Sequence, residues 1–378
     1  MVKKKKNKTR NKIPKKVEKL KKEEEERKRR IEKKKIQKEK ERKIVKKIQK
    51  EVKEVSHVDE KTIEYISNKI KDIKREIKKS IIGQEEIIDG LIRALLSNGH
   101  VLLEGVPGIA KTLAIISLGK ATGCQAKRIQ FTVDLLPTDI TGITTYTPGK
   151  GFEIIKGPVF ANFIIADEIN RAPSKTQSAL LEAMQEKQTT IGKKTFKLPE
   201  PFFVMATENP LETSGVYPLP EAQIDRFLFK ILMTYPEKEE EKKVISENLT
   251  LKKIDDFGIK SVTSPSEIIK MQEITKKIFL SEEVKDYILN IVTPTRNGKF
   301  KNSEFIEWGA SPRAGIALFI ASKAEALMRG RNYVTPEDVK NIAHDVLRHR
   351  IILNYEAQAQ KISSDDVITS LLNSIEFI

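Results

Sequence analysis

Val101-Leu102-Leu103-Glu104-Gly105-Val106-Pro107-Gly108-Ile109-Ala110-Lys111-Thr112 decides the fold. The run Val101 to Leu103 reads as a short buried strand, the Gly/Pro stretch after it cannot continue that strand, and Thr112 to Ala121 has the amphipathic spacing of a helix. Strand, tight loop and helix in that order aim the first backbone N–H groups of the helix into the loop, the setting a phosphate-binding loop requires. Lys111 would then reach β- and γ-phosphate oxygens, and the Thr112 hydroxyl would hold Mg²⁺. Gly105, Val106, Pro107, Gly108, Ile109, Ala110, Lys111, Thr112 and Leu113 are the expected nucleotide contacts. Ala110 stands where the strict pattern has Gly, the smallest possible departure.

Moving outward, Ile129-Gln130-Phe131, Phe163-Ile164-Ile165-Ala166 and Phe202-Phe203-Val204-Met205-Ala206 are further short apolar runs separated by helical stretches. Alternation of this kind predicts an α/β fold, a parallel sheet with helices on both faces. The second run ends in Asp167-Glu168. Asp167 would bind Mg²⁺, and Glu168 would orient and deprotonate an attacking water. The third run leads into Thr207-Glu208-Asn209-Pro210, which puts an amide where a γ-phosphate and water would sit, although locally it also reads as a plain Asn-Pro turn. Arg226, in Asp225-Arg226-Phe227, and Arg313, in Ser311-Pro312-Arg313-Ala314, read equally well as phosphate-directed or as surface arginines beside an acid.

From Ser264 the strands stop. Ser266 to Phe279, Ser281 to Val292, Pro312 to Arg329, Thr335 to Arg348 and Ser364 to Ser374 are helical, with Ser264, Ser281 and Thr335 as caps. The expected organisation is therefore a basic Lys/Glu-rich extension at 1–56, disordered or helical, an α/β core at 57–235, a charged connector at 236–263 and an all-α domain at 264–378. Asp59 would cap the first helix of the core. The isoleucines 63, 66, 70, 73 and 77 along it repeat at 3-4-3-4 spacing and must pack against a partner.

Charge separates the parts. Residues 1–50 hold 26 Lys and Arg against 8 Asp and Glu, and the remaining chain holds 44 against 45. A body without positive excess rules out reading the whole protein as a basic nucleic-acid-binding domain, and leaves the basic tail as the candidate tether to RNA or DNA. One cysteine, Cys124, excludes an intrachain disulfide framework, and four scattered histidines form no zinc pattern. No apolar run approaches the roughly 18 residues of a membrane span, so the chain reads as cytoplasmic.

Glu104-Gly105-Val106-Pro107-Gly108-Ile109-Ala110-Lys111-Thr112, Asp167-Glu168-Ile169-Asn170-Arg171-Ala172, Leu180-Leu181-Glu182-Ala183-Met184-Gln185-Glu186 and Leu219-Pro220-Glu221-Ala222-Gln223-Ile224-Asp225-Arg226-Phe227 together resemble a MoxR-type AAA+ ATPase, over about residues 60 to 360. The resemblance implies an AAA+ P-loop core with a helical lid, Mg-ATP hydrolysis, and a hexameric ring with ATP between subunits. It assigns Asn209 to sensor 1, Arg226 to the arginine finger acting on the neighbouring subunit, and Arg313 to sensor 2, and leaves Arg171 without a role. It also implies a chaperone-like remodeller, often partnered by von Willebrand factor A domain proteins. The segment from Asp134 to Gly142 would open the helix 2 insert. Thr189 to Phe196, which reads independently as a hairpin turning at Gly192, would be the pre-sensor 1 hairpin. Two other readings predict different behaviour: a nucleic-acid-stimulated motor, and a nucleotide-dependent scaffold with little turnover.

Overall fold

The structure is a computed structural model. It describes residues 43, 45–49, 58–105, 111–149, 151–210, 215–235, 238–246 and 254–375. The phosphate-loop residues 106–110, the extension up to residue 42 and part of the connector lie outside the described residues. Residues 43 and 45–49 are helical, and residues 55–375 form one compact unit.

Five strands, β1 (Val101–Gly105), β2 (Ala126–Gln130), β5 (Phe163–Asp167), β8 (Phe203–Glu208) and β9 (Phe229–Met233), make a parallel sheet in the order β2-β5-β8-β1-β9. The central strands are apolar on both faces because both faces are covered: Leu102, Leu103, Ile164, Ile165, Val204 and Met205 are fully buried. Gln130 pairs with Asp167, Ala166 with Ala206, and Glu104 with Glu208, so the carboxyl ends of four strands finish along one edge. The chain leaves β1 for the far edge at β2 and returns through β5 and β8. That places the reversal of strand order between β8 and β1, where open parallel sheets bind ligands.

Helix α1 (Glu60–Ile77) buries the five isoleucines at 63, 66, 70, 73 and 77 against α3 (Lys111–Ala121) and α11 (Pro312–Met328), each worth roughly 1.5–3 kcal/mol of burial. Asp59 occupies its N-cap position, but its carboxylate accepts from the Thr62 hydroxyl rather than a backbone N–H. Helix α2 (Glu85–Leu96) packs on β9 and α11. Arg93 on α2 donates to Glu325 on α11 at 2.8 Å, both side chains nearly buried.

The β2–β5 connection contains α4 (Pro137–Thr141) and an antiparallel hairpin of β3 (Gly142–Thr147) with β4 (Gly151–Lys156). A second hairpin, β6 (Gln188–Ile191) with β7 (Lys194–Lys197), follows α5 (Ser174–Glu186) and turns at Gly192, whose φ of +61° suits glycine. Lys156 joins the two hairpins, its ammonium 4.8 Å from the Phe160 ring and 5.2 Å from that of Phe196. Tyr146 and Phe152 pair edge to face on the first hairpin and remain exposed at 63% and 79%.

Beyond the sheet, α6 (Glu221–Ile224) precedes β9 and α7 (Lys238–Ser246) lies in the connector. The helical part consists of α8 (Pro265–Lys277), α9 (Glu282–Val292), the short α10 (Pro294–Asn297), α11, α12 (Pro336–Leu347), α13 (Tyr355–Ala359) and α14 (Ser364–Ser374), with a small antiparallel pair of β10 (Ile306–Trp308) and β11 (Ile352–Leu353). Ser264 and Thr335 form reciprocal capping boxes with Glu267 and Asp338. Ser281 holds the cap position of α9, but its buried hydroxyl finds no partner.

Candidate nucleotide site

Lys111 opens the described part of α3 at the β1/β8 crevice. Its ammonium donates to the carbonyl oxygens of Gly105 and Glu208, the latter at 3.3 Å. Burial pulls its pKa below the ordinary lysine value, opposed by the charges of Asp167, Glu168 and Glu104. A half-buried cation that, among the described residues, is held by carbonyl oxygens at the ends of two strands suits a polyanionic oxygen ligand. Thr112 and Leu113 follow on the helix, both partly buried.

The two carboxylates end β5 and point into different settings. Asp167 accepts from the Thr207 hydroxyl at 2.7 Å and from Arg128 Nε and a terminal guanidinium nitrogen at 2.9 and 2.6 Å. Glu168 sits in the left-handed region at φ 55°, ψ 53°, rare for a residue with a side chain. Its backbone N–H donates to the same Thr207 hydroxyl at 2.8 Å. One buried hydroxyl on β8 therefore ties both acids to the neighbouring strand. The Glu168 carboxylate accepts from Gln130 at 2.8 Å and from Arg171 at 3.0 Å. Asn209 is buried one residue past β8, next to Glu208, whose acidity is weakened by burial. Glu104 at the end of β1 pairs with Lys230 at 2.5 Å.

Among the described residues no group of three His, Cys, Asp or Glu side chains could hold a metal on its own. Thr112 and Asp167 offer a hydroxyl and a carboxylate, a hard oxygen set too small for calcium or zinc. It fits Mg²⁺, which keeps several waters and takes its remaining ligands from substrate phosphates.

Arg226 and Arg313 lie elsewhere. Arg226 lines a cavity of about 320 Å³ with Ser178, Glu182, Glu186 and Gln223, and its Nε is buried without a hydrogen-bond partner. Arg313, half exposed at the start of α11, stands 3.6 Å from the carboxylate of Asp225, the residue before Arg226. That same carboxylate accepts from Ser311 at 3.0 Å and from Arg350 at 2.7 Å. The structure thus brings Lys111, Thr112, Asp167 and Glu168 to one strand edge with Asn209 nearby, sets Arg313 beside the Asp225 carboxylate, and turns Arg226, the next residue, into the cavity beside Glu182 and Glu186.

Sequence reading missed Arg128, Gln130, Thr207 and Arg350. The first two carried a signal: Arg128-Ile129-Gln130 alternates polar, buried, polar at a strand end, which turns both polar side chains to one face beside Asp167 and Glu168. Arg171, left without a role, pairs with Glu168.

A sheet of this strand order with a lysine at its switch point, paired carboxylates at the end of β5, one strand removed from β1, and a helical lid defines the AAA+ class of ATPase fold. Comparison with known proteins agrees: residues 100–229 match the ATPase family associated with various cellular activities, and residues 300–371 match the AAA lid domain. The chain is 47% identical over 310 residues to Chaperone MoxR1 of Mycobacterium tuberculosis, spanning 79% of this chain and 80% of that one. It is 42% identical over 301 residues to YeaC of Bacillus subtilis, spanning 79% and 92%. Protein MoxR of Methylorubrum extorquens is 27% identical over 310 residues, spanning 77% and 90%. A crystal structure from Cytophaga hutchinsonii, put forward as an ATPase, superposes with a TM-score of 0.78 at 44% identity and covers 84% of this chain and 98% of that one. The chain belongs to the MoxR family of AAA+ ATPases.

Proposed function

We propose that this protein hydrolyses Mg-ATP at sites between the subunits of a ring, a hexamer, and uses the resulting motion to remodel or mature a partner protein in the cytoplasm. The observation that carries the reading is the crevice at Lys111, where a cation held by two carbonyl oxygens lies in the field of Asp167 and Glu168, and one threonine hydroxyl bonds both the Asp167 carboxylate and the Glu168 backbone N–H. Gly105, Lys111, Thr112 and Leu113, with the loop residues Val106, Pro107, Gly108, Ile109 and Ala110, hold the nucleotide. Thr112 and Asp167 would hold Mg²⁺, which when bound screens phosphate charge. Lys111 stabilises the developing charge on the γ-phosphoryl oxygens, Glu168 takes the proton of the attacking water, and Asn209 orients that water.

Arg226 completes the site of the next subunit. Its buried, unpartnered Nε supports that role, since an arginine already paired within its own chain would have to break that pair first. A trans arginine contributes about 10³ to 10⁵ in rate, which makes turnover depend on assembly. Arg313, beside Asp225, acts from the same edge. The exposed Tyr146 and Phe152 on the first hairpin suit contact with a polypeptide substrate. The remodelling role is in line with the chaperone naming of the Mycobacterium relative, and the partner class we propose is a von Willebrand factor A domain protein. The basic tail adds at most a weak nucleic-acid tether. No helix among the described residues is long and apolar enough to cross a membrane.

The test is to trap Glu168→Gln with ATP in nuclease-treated lysate beside a Lys111→Ala control. A von Willebrand factor A domain protein or metalloenzyme subunit retained only by the trapped form supports the remodeller. Replication or repair factors alone, with ATPase activity stimulated by DNA or RNA after removal of residues 1–50, would replace it with a nucleic-acid motor.

A further inference from the structure

Arg350 lies just beyond α12, with its side chain 3% exposed. A guanidinium has five N–H donors, and this one spends all of them. Nε donates to the Asp225 carboxylate at 2.7 Å, and one terminal nitrogen donates to the carbonyls of Asp225 at 3.1 Å and Phe227 at 2.6 Å. The other donates to the carbonyl of Leu228 at 3.1 Å and to that of Val346. Four of the five bonds land on the Asp225–Leu228 stretch, the stretch that carries Arg226. His349 adds a contact to Phe227 O at 3.1 Å. Burial works against the Arg350 cation and lowers its pKa, and the Asp225 carboxylate is what offsets that cost.

Asp225 faces two parts of the helical lid at once. One carboxylate oxygen takes Arg350, and the other takes Ser311 and stands near Arg313. The segment holding the candidate finger is therefore bonded to the start of α11 and to the end of α12, and cannot shift without one of them.

We propose that Arg350 is a positioning residue for catalysis in the neighbouring subunit: through Asp225 it fixes Arg226 and Arg313 as one preset edge that moves with the lid. This rests on the reading of Arg226 as a finger acting in trans. Misplacing a catalytic group by about 1 Å can cost about 100-fold in rate, so the bonds need only hold the segment to that tolerance. Lysine keeps the charge, but its three donors on a single nitrogen cannot fork across these five acceptors.

The experiment uses Arg350→Lys in the full chain. Turnover should fall about 10- to 100-fold, while displacement of a fluorescent ATP analogue stays within about two-fold of wild type, because Lys111 and its phosphate site lie on the other edge. Subunit mixing then separates positioning from damage. Glu168→Gln subunits cannot hydrolyse but keep an intact finger, so mixing them with Arg350→Lys should raise activity several-fold over Arg350→Lys alone. Mixing Arg350→Lys with Arg226→Ala should give no gain, since neither supplies a placed finger. Arg226→Ala with Glu168→Gln is the control and should recover. Recovery in the control without recovery of Arg350→Lys would overturn the proposal and make Arg350 a packing residue. Failure of the control would overturn the finger assignment, and this inference with it. Should Arg350→Lys not fold, Asp225→Asn removes the charge but keeps an acceptor oxygen, and it must give the same pattern of complementation.

Discussion

Replacing Thr207 by Val removes one buried hydroxyl without changing the shape of the side chain. In the structure that hydroxyl donates to Asp167 at 2.7 Å and accepts the Glu168 N–H at 2.8 Å. Each bond is worth roughly 0.5–1.5 kcal/mol net, and the Glu168 N–H would be left without its acceptor, so the local cost is about 2 kcal/mol. Glu168 has a left-handed backbone, which is strained and relies on such restraints. If the loss falls on the transition state, kcat drops about 30-fold at 1.36 kcal/mol per tenfold. ATP affinity should stay within about two-fold, because Thr207 bonds Asp167 and Glu168, whereas Lys111 is held by the carbonyls of Gly105 and Glu208. The assay is steady-state phosphate release with kcat and KM resolved, beside nucleotide binding, with Thr207→Ser as the control that keeps the hydroxyl. A Val variant with wild-type kcat would refute the idea that this hydroxyl sets the catalytic carboxylate.

Gln130→Ala removes one of the two side chains holding the Glu168 carboxylate. Freed of a bond worth about 1 kcal/mol, Glu168 should turn towards water more readily and basal ATPase should rise about five-fold; a fall would show that Gln130 orients the acid rather than restraining it. Acid should destabilise the protein through His100, whose burial lowers its pKa to about 4. Its Nδ1 accepts the Val204 N–H at 3.1 Å and its Nε2 faces Met184 O at 3.2 Å, an arrangement that requires the neutral ring. With the folded pKa below the unfolded one, stability is complete above about pH 6.5 and lost as pH falls towards 4, by about 2 kcal/mol at pH 5 from this residue. Buried His349 shifts in the same direction and steepens the loss. Urea midpoints at pH 7 and pH 5 check this, and equal midpoints would contradict it.

What the sequence revealed was what local pattern encodes. Apolar runs located four of the five sheet strands, the Asp167-Glu168 pair announced itself as an acidic strand end, and Ser264 and Thr335 marked helix starts through residues three positions away. The edge strand Phe229–Met233 was hidden, because Lys230 interrupts its apolar run and reaches Glu104 across the sheet. Arg350 was hidden for a stronger reason. Its partners lie some 125 residues earlier, and a buried arginine looks in sequence like any other in Leu347-Arg348-His349-Arg350. Arg313 reads in sequence equally as a phosphate-directed arginine or as one beside an acid; the structure gives it an acid, Asp225, and that acid adjoins Arg226.

The most direct test of the central claim compares phosphate release and ATP binding for wild type, Glu168→Gln and Lys111→Ala at equal protein concentration. The account predicts turnover by wild type. Glu168→Gln should keep its affinity for ATP while turnover falls by about 100-fold or more, as loss of a general base requires. Lys111→Ala should lose affinity itself. Equal turnover by wild type and Glu168→Gln, or undiminished ATP binding by Lys111→Ala, would contradict the account.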